Sequence, residues 1–155
     1  MWPDERVVRL VTENFLPARV HVRQDAADFK RFGERYGAPW TPTILVLDAE
    51  GVERHRIEGF LPLEDFLAQV TIGLGHLAFQ AGRWKEAGAR FRDVVDHLPQ
   101  AEGAPEALYW AGVARSKGGD AGALAETARQ FETSYTDSGW AKKAAVWGSG
   151  KDQRQ

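Results

Sequence analysis

The passage from Ile44 to Gly59 restricts this chain more than any other. Ile44-Leu45-Val46-Leu47 is an uninterrupted apolar run, the pattern of a strand buried on both faces. Asp48-Ala49-Glu50-Gly51 supplies turn chemistry, and Val52 to Glu58 reads as a returning strand that Gly59 closes, which predicts a β-hairpin. Upstream, Asp4 is placed to cap a helix with apolar residues at Val7, Val8, Val11 and Phe15. Pro17 interrupts that helix, and Ala18 to Arg23 alternates small apolar and polar groups as a strand does. Asp25 stands before a second helix carrying Phe29, Phe32 and Tyr36, which Gly37 ends. Pro62 suits the start of a third, bearing Phe66, Leu67 and Val70. The first half is therefore expected to be α/β, with three strands and flanking helices.

Composition removes several functions. The 155 residues are 43% hydrophobic and 27% charged, a globular balance. With 20 basic and 22 acidic residues the net charge is −2, which argues against nucleic-acid binding. Arg6, Arg9, Arg19, Arg23, Lys30, Arg31 and Arg35 enrich the first third in positive charge, but acidic residues are interleaved among them. No run approaches the ~18 apolar residues of a membrane span. The opening Met1-Trp2-Pro3-Asp4-Glu5 has neither the basic start nor the apolar stretch of a secretory signal, so a cytoplasmic location without membrane contact is expected. There is no cysteine anywhere.

The ordered set Ala38-Pro39-Trp40-Thr41-Pro42-Thr43, the apolar strand, the Asp-x-x-Gly turn, then Gly59-Phe60 and the Pro62 helix resembles the cis-proline half of the thioredoxin family. The likeness covers about residues 4–74. It implies a cis bond between Thr41 and Pro42, and a groove in which an extended peptide adds like a strand, with Thr41 giving backbone groups and Trp40 an aromatic wall. It also implies an incomplete fold over residues 1–74. The strand and C-x-x-C helix start that belong between the Ala18–Arg23 and Ile44–Leu47 strands are missing. Such a gap leaves rows of unpaired backbone groups. The remaining strands could close up, a second copy could complete the sheet as a homodimer, or the native product could extend upstream of Met1. Thiol–disulfide exchange needs a thiolate, so no catalytic residue is assigned to this chain, and neither metal nor cofactor. Binding of a peptide or protein partner is expected. The alternative is an oxidoreductase whose C-x-x-C segment lies upstream of this chain's start.

Beyond Ile72 the sequence turns helical and rich in alanine. Leu77 to Ala81, Gly82-Arg83-Trp84, then Ala87, Phe91, Val94 and Leu98-Pro99 resemble a tetratricopeptide repeat. A second copy runs from Ala107-Leu108-Tyr109-Trp110-Ala111-Gly112 through Gly118-Gly119-Asp120 to Phe131 and Tyr135. Superposing Gly82 on Gly119 gives an offset of 37 residues, which sets Ala87 on Leu124, Val94 on Phe131 and Leu98 on Tyr135. The stretches Ala104–Gly112 and Ser138–Ala144 are similar to repeats of the outer-membrane lipoprotein subfamily that partners the Tol–Pal envelope system, which implies protein contact without catalysis. An all-α tetratricopeptide-like segment over 75–150 is expected, with a tail at 151–155. Two repeats cannot bury their own faces, so the first hairpin is expected to pack on the Pro62 helix. A short helix from Ser138 should cap the other end, burying Trp140 and Trp147. Of Tyr109 and Trp110, one can enter the core while the other lines a concave peptide surface.

The remaining chemistry is thin. His21, His55, His76 and His97 form no H-x-x-x-H or H-E-x-x-H pair, which leaves a metal site without support. There is no G-x-S-x-G elbow and no phosphate loop. Glu50, Glu53 and Glu58 on a hairpin read as solubility and edge protection.

Overall fold

The computed structural model describes residues 4–148. They fall into two compact units, Met1–Leu67 and Ala68–Gln155. The expected tail at 151–155 lies outside the described residues.

The first unit opens with α1 (Glu5–Asn14), whose N-terminus is capped by the Asp4 carboxylate accepting from the Arg6 amide. Val7 is its buried anchor. Helix α2 (Ala26–Tyr36) ends on Gly37, at φ 59° and ψ 42°, a left-handed stop that suits glycine. Asp25 precedes α2 but makes no cap bond; its carboxylate instead accepts from the His21 amide. Strands β1 (Thr43–Leu47) and β2 (Glu53–Glu58) pair antiparallel, with Ile44 opposite Ile57 and Val46 opposite His55. The register shifts between Val46 and Leu47, so Arg54 is the extra residue of a bulge.

Two strand expectations are corrected here. Ala18–Arg23 is not a strand, and among the described residues the sheet has two strands. The local bonds explain why: the His21 ring nitrogen accepts from the Arg23 and Gln24 amides, and the His21 carbonyl from the Asp25 amide. Side-chain bonds of this kind compete with strand ladders. Nor is β1 buried on both faces. On one face Val46 is buried but Ile44 is 39% exposed, and on the other Thr43, Leu45 and Leu47 are only half-buried. With two strands in the sheet among the described residues, the continuous apolar sequence of β1 exceeds the cover available.

The second unit is helical. Helix α3 (Leu63–Gln80) begins in the first unit and continues unbroken into the second. The Pro62 helix and the first helix of the first hairpin, expected as separate elements, are therefore one. Gly73 and Gly75 do not interrupt it, and Gly75 is needed: a Cβ there would sit 2.7 Å from Phe91 Cζ. Helix α4 (Trp84–His97), α5 (Ala104–Lys117) and α6 (Ala123–Thr133) follow, then α7 (Gly139–Ala144) and a 3₁₀ turn, Ala145–Trp147. Alanines 68, 78, 87, 101, 104, 107, 111 and 114 pack around Ile72, Phe91 and Val94. A second cluster joins Leu108, Phe131 and Ala144, with half-buried Tyr109, Trp140 and Trp147 against it. The Ser138 hydroxyl caps α7 by accepting from the Ala141 amide.

The 37-residue offset holds at some positions and slips at others. Gly75 corresponds to Gly112, Gly82 to Gly119 (φ 74° and 104°), and buried Val94 to buried Phe131. At the start of α6, however, the buried alanine is Ala123 rather than Leu124, which is half-buried. The helix after the second turn begins four residues beyond Gly119, against two beyond Gly82 in the first. No described helix is long and apolar enough to cross a membrane.

Candidate functional site

In the first unit Trp40, Ile44 and Phe60 are exposed within or next to the segments that meet at Pro42 and Gly59, while Val8, Leu16, Val22 and Val52 are exposed elsewhere. Trp40 is 59% exposed and Phe60 84%, beside half-open Ile44. The segment between α2 and β1 is fixed at both ends. The Ala38 amide donates to the Gly33 carbonyl at 2.9 Å, and Ala38 is buried. The Thr43 hydroxyl donates to the Trp40 carbonyl at 2.8 Å. The Gly59 amide donates to the Pro42 carbonyl at 2.9 Å, and the Thr41–Pro42 peptide bond is cis. Thr41 is exposed, and its backbone groups have no partner among the described residues.

Arg56 and Tyr36 lock this loop to the hairpin. The Arg56 guanidinium donates to the carbonyls of Gly37 and Tyr36 and to the carboxylates of Glu53 and Glu58. Glu53 and Glu58 are thus held apart by a shared cation, not poised as a proton-transfer pair. The Arg56 hydrogen bond keeps the Glu53 carboxyl below its usual range. The Tyr36 hydroxyl donates to the Gly51 carbonyl at 2.7 Å, which ties α2 to the hairpin turn. In that turn the Asp48 carboxylate accepts from the Val52 and Glu50 amides and from Arg54, and these bonds hold its carboxyl pKa below the ordinary value.

The ladder determines which backbone groups of β1 remain available. Pro42 bonds Gly59 at one end, and the Asp48 amide donates to the Val52 carbonyl at the other. Antiparallel pairs alternate between bonded and non-bonded positions. In the observed register Ile44 and Val46 therefore turn their amides and carbonyls toward β2, and Thr43, Leu45 and Leu47 turn theirs outward. Those outward groups meet no partner among the described residues. Which residues of β1 point outward is set by the bulge and register, which three-dimensional pairing determines and the sequence does not show.

Tyr109 and Trp110 lie in the second unit, half-buried on α5. The Tyr109 ring stacks on Trp147 at 4.6 Å and lies 5.2 Å from Trp140. Trp110 packs edge-on against His76 at 5.3 Å and Phe79 at 5.5 Å. Both rings are engaged in aromatic packing. A groove of about 600 Å³ runs between α4, α5 and α6, with Ala111 and Gly112 in its floor and Lys85, Arg92 and Arg115 on its walls. Arg115 is held by Asp120 and Glu126, and Arg92 by Asp96 and Gln130. Among the described residues no group of three or more His, Asp or Glu side chains is arranged to hold a metal ion.

Residues 1–71 match the family model described as a thioredoxin-like domain. The chain carries that domain without a cysteine. No curated protein and no solved structure gave a match.

Proposed function

We propose that this chain is a noncatalytic binding module: a thioredoxin-like unit that takes up an extended peptide or protein segment at Trp40-Thr41-Pro42 and along the open edge of β1. The observation that carries this reading is the outward set of backbone groups on Thr41, Thr43, Leu45 and Leu47, beside an exposed indole and Phe60. Main-chain bonding to a sheet edge supplies affinity, and adjacent side-chain contacts supply selectivity. The anchoring of the loop by Arg56, Thr43 and Gly59 supports it too, because a fixed site forfeits less ordering entropy on binding. With no thiolate available, redox turnover has no nucleophile on these residues.

The helical unit enters this reading as two tetratricopeptide-like hairpins. Their support is the repeated pairing of Gly75 with Phe91 and Gly112 with Thr127, and the positive-φ turns at Gly82 and Gly119. Tyr109 and Trp110 serve here to hold the hairpins and the α7 cap together.

The test uses extended peptides selected from a random display library against the whole chain, with affinities measured by calorimetry. Trp40→Ala should weaken binding about tenfold or more, the loss typical of an aromatic anchor. Unchanged affinity would move the site away from this loop. In an insulin-disulfide reduction assay the chain should give background rates only; sustained turnover would end the noncatalytic reading.

A further inference from the structure

We infer that the segment which completes this sheet is β1 of a second copy of the chain, paired antiparallel about a two-fold axis at Leu45. This inference rests on the open-edge reading above and names its occupant.

The two edges of the hairpin differ in kind. β2 carries Glu53, Arg54, His55, Arg56 and Glu58 along its six residues, and charged side chains on an edge strand resist further pairing. β1, Thr43-Ile44-Leu45-Val46-Leu47, carries no charge. It is the edge left undefended. A two-stranded hairpin is at best marginal by itself, whereas three or more strands with an apolar face are stable. Joining β1 to β1 of a second copy gives a continuous four-stranded antiparallel sheet with both outer edges formed by the charged β2.

Geometry selects the register. The available backbone groups belong to Thr43, Leu45 and Leu47. An axis at Leu45 sets Thr43 opposite Leu47 of the second copy and Leu45 opposite its own equivalent. Every outward group then meets an outward group, and all five residues of β1 are used. A slip by one residue would present groups already bonded to β2. The same axis sets Ile44, 39% exposed, opposite Val46 of the second copy. Asp48 falls opposite Pro42, so no like charges face each other, and its carboxylate is already satisfied by Arg54. A strand that is uncharged and matched to its own outward pattern is a good partner for itself.

Sedimentation equilibrium on the full chain provides the test. The wild type should dimerise reversibly as its concentration rises to about 100 µM, the range in which a short strand interface is measurable. Leu45→Lys and Leu45→Glu each set like charges face to face at the axis, where Cβ atoms approach to about 5 Å. Each variant alone should dimerise at least about tenfold more weakly. Their equimolar mixture should recover a heterodimer, identified by its intermediate mass in native mass spectrometry. Circular dichroism checks that both variants remain folded. If either does not, Thr43→Lys/Leu47→Lys mixed with Thr43→Glu/Leu47→Glu applies the same test at the next bonded pair, since each double variant sets like charges opposite each other and only the mixture sets opposite ones. Folded variants whose mixture stays monomeric would overturn the inference, as would a wild type that is monomeric throughout. A monomer that still binds selected peptides with Trp40-dependent affinity would leave the edge reading in place. A monomer whose peptide binding ignores Trp40 would remove both.

Discussion

Gly75 and Gly112 stand 37 residues apart, one on the first helix of each hairpin, and each is crossed by a side chain of the following helix. A Cβ on Gly112 would lie 2.8 Å from Thr127 Cβ, in a buried site where the Thr127 hydroxyl is already bonded to the Ala123 carbonyl. Gly112→Ala should therefore lower unfolding stability by about 1–3 kcal/mol, the usual cost of overpacking a core. Urea denaturation measures it, and an unchanged midpoint would contradict the close approach. Arg56 is the corresponding residue of the first unit. Arg56→Leu removes the donor to the Tyr36 and Gly37 carbonyls and the cation that both Glu53 and Glu58 bind. Hairpin amides should then exchange faster, and selected peptides should bind more weakly because the loop holding Trp40 loses its anchor. Equal exchange rates in the variant would mean that other contacts hold the loop.

At the scale of elements, the hairpin, the α2 stop at Gly37 and the turns at Gly82 and Gly119 were legible because each depends on residues adjacent in sequence. The strand at Ala18–Arg23 was misread because alternation alone does not make a strand; it needs a neighbour, and His21 and Asp25 offered the backbone a local alternative. The continuity of α3 was missed for the opposite reason. The apolar run of the Pro62 helix and the alanine-rich stretch after Ile72 have no sequence signal that joins them, and Gly75 is tolerated inside the helix because Phe91 requires the space. The carboxylates of the hairpin make a pH prediction at this scale. Asp48 and Glu53 both titrate below their ordinary values when folded. Their contribution is complete above the unfolded carboxyl range and is lost as pH falls through the lowered folded values. The hairpin should hold from neutral pH to about pH 4 and loosen below it. Trp40 fluorescence is not specific among six tryptophans, so the measurement is the amide shifts of Glu50, Val52 and Ile57 by NMR. A hairpin that loosens on raising the pH from 5 to 8 would reverse the sign and contradict these ion pairs.

For the molecule as a whole, the consequential features are a missing sulfur and an exposed sheet edge. The first could be read directly from composition. The second was implied by the absent strand, but which groups face outward follows only from the register of β1 on β2, and Phe60 gained its place beside the site only through the fold. Trp40, Thr41 and Pro42 form one loop, whereas Tyr109 and Trp110 are enclosed by Phe79, Trp140 and Trp147 in the other unit. Hydrogen exchange at single-residue resolution in dilute, unliganded protein tests the open edge most directly. Ile44 and Val46 amides should exchange slowly, and those of Thr43, Leu45 and Leu47 rapidly, with the latter three slowing on peptide addition or at high concentration. Equal protection of all five amides in the dilute monomer would show that the edge is already occupied and would contradict the account.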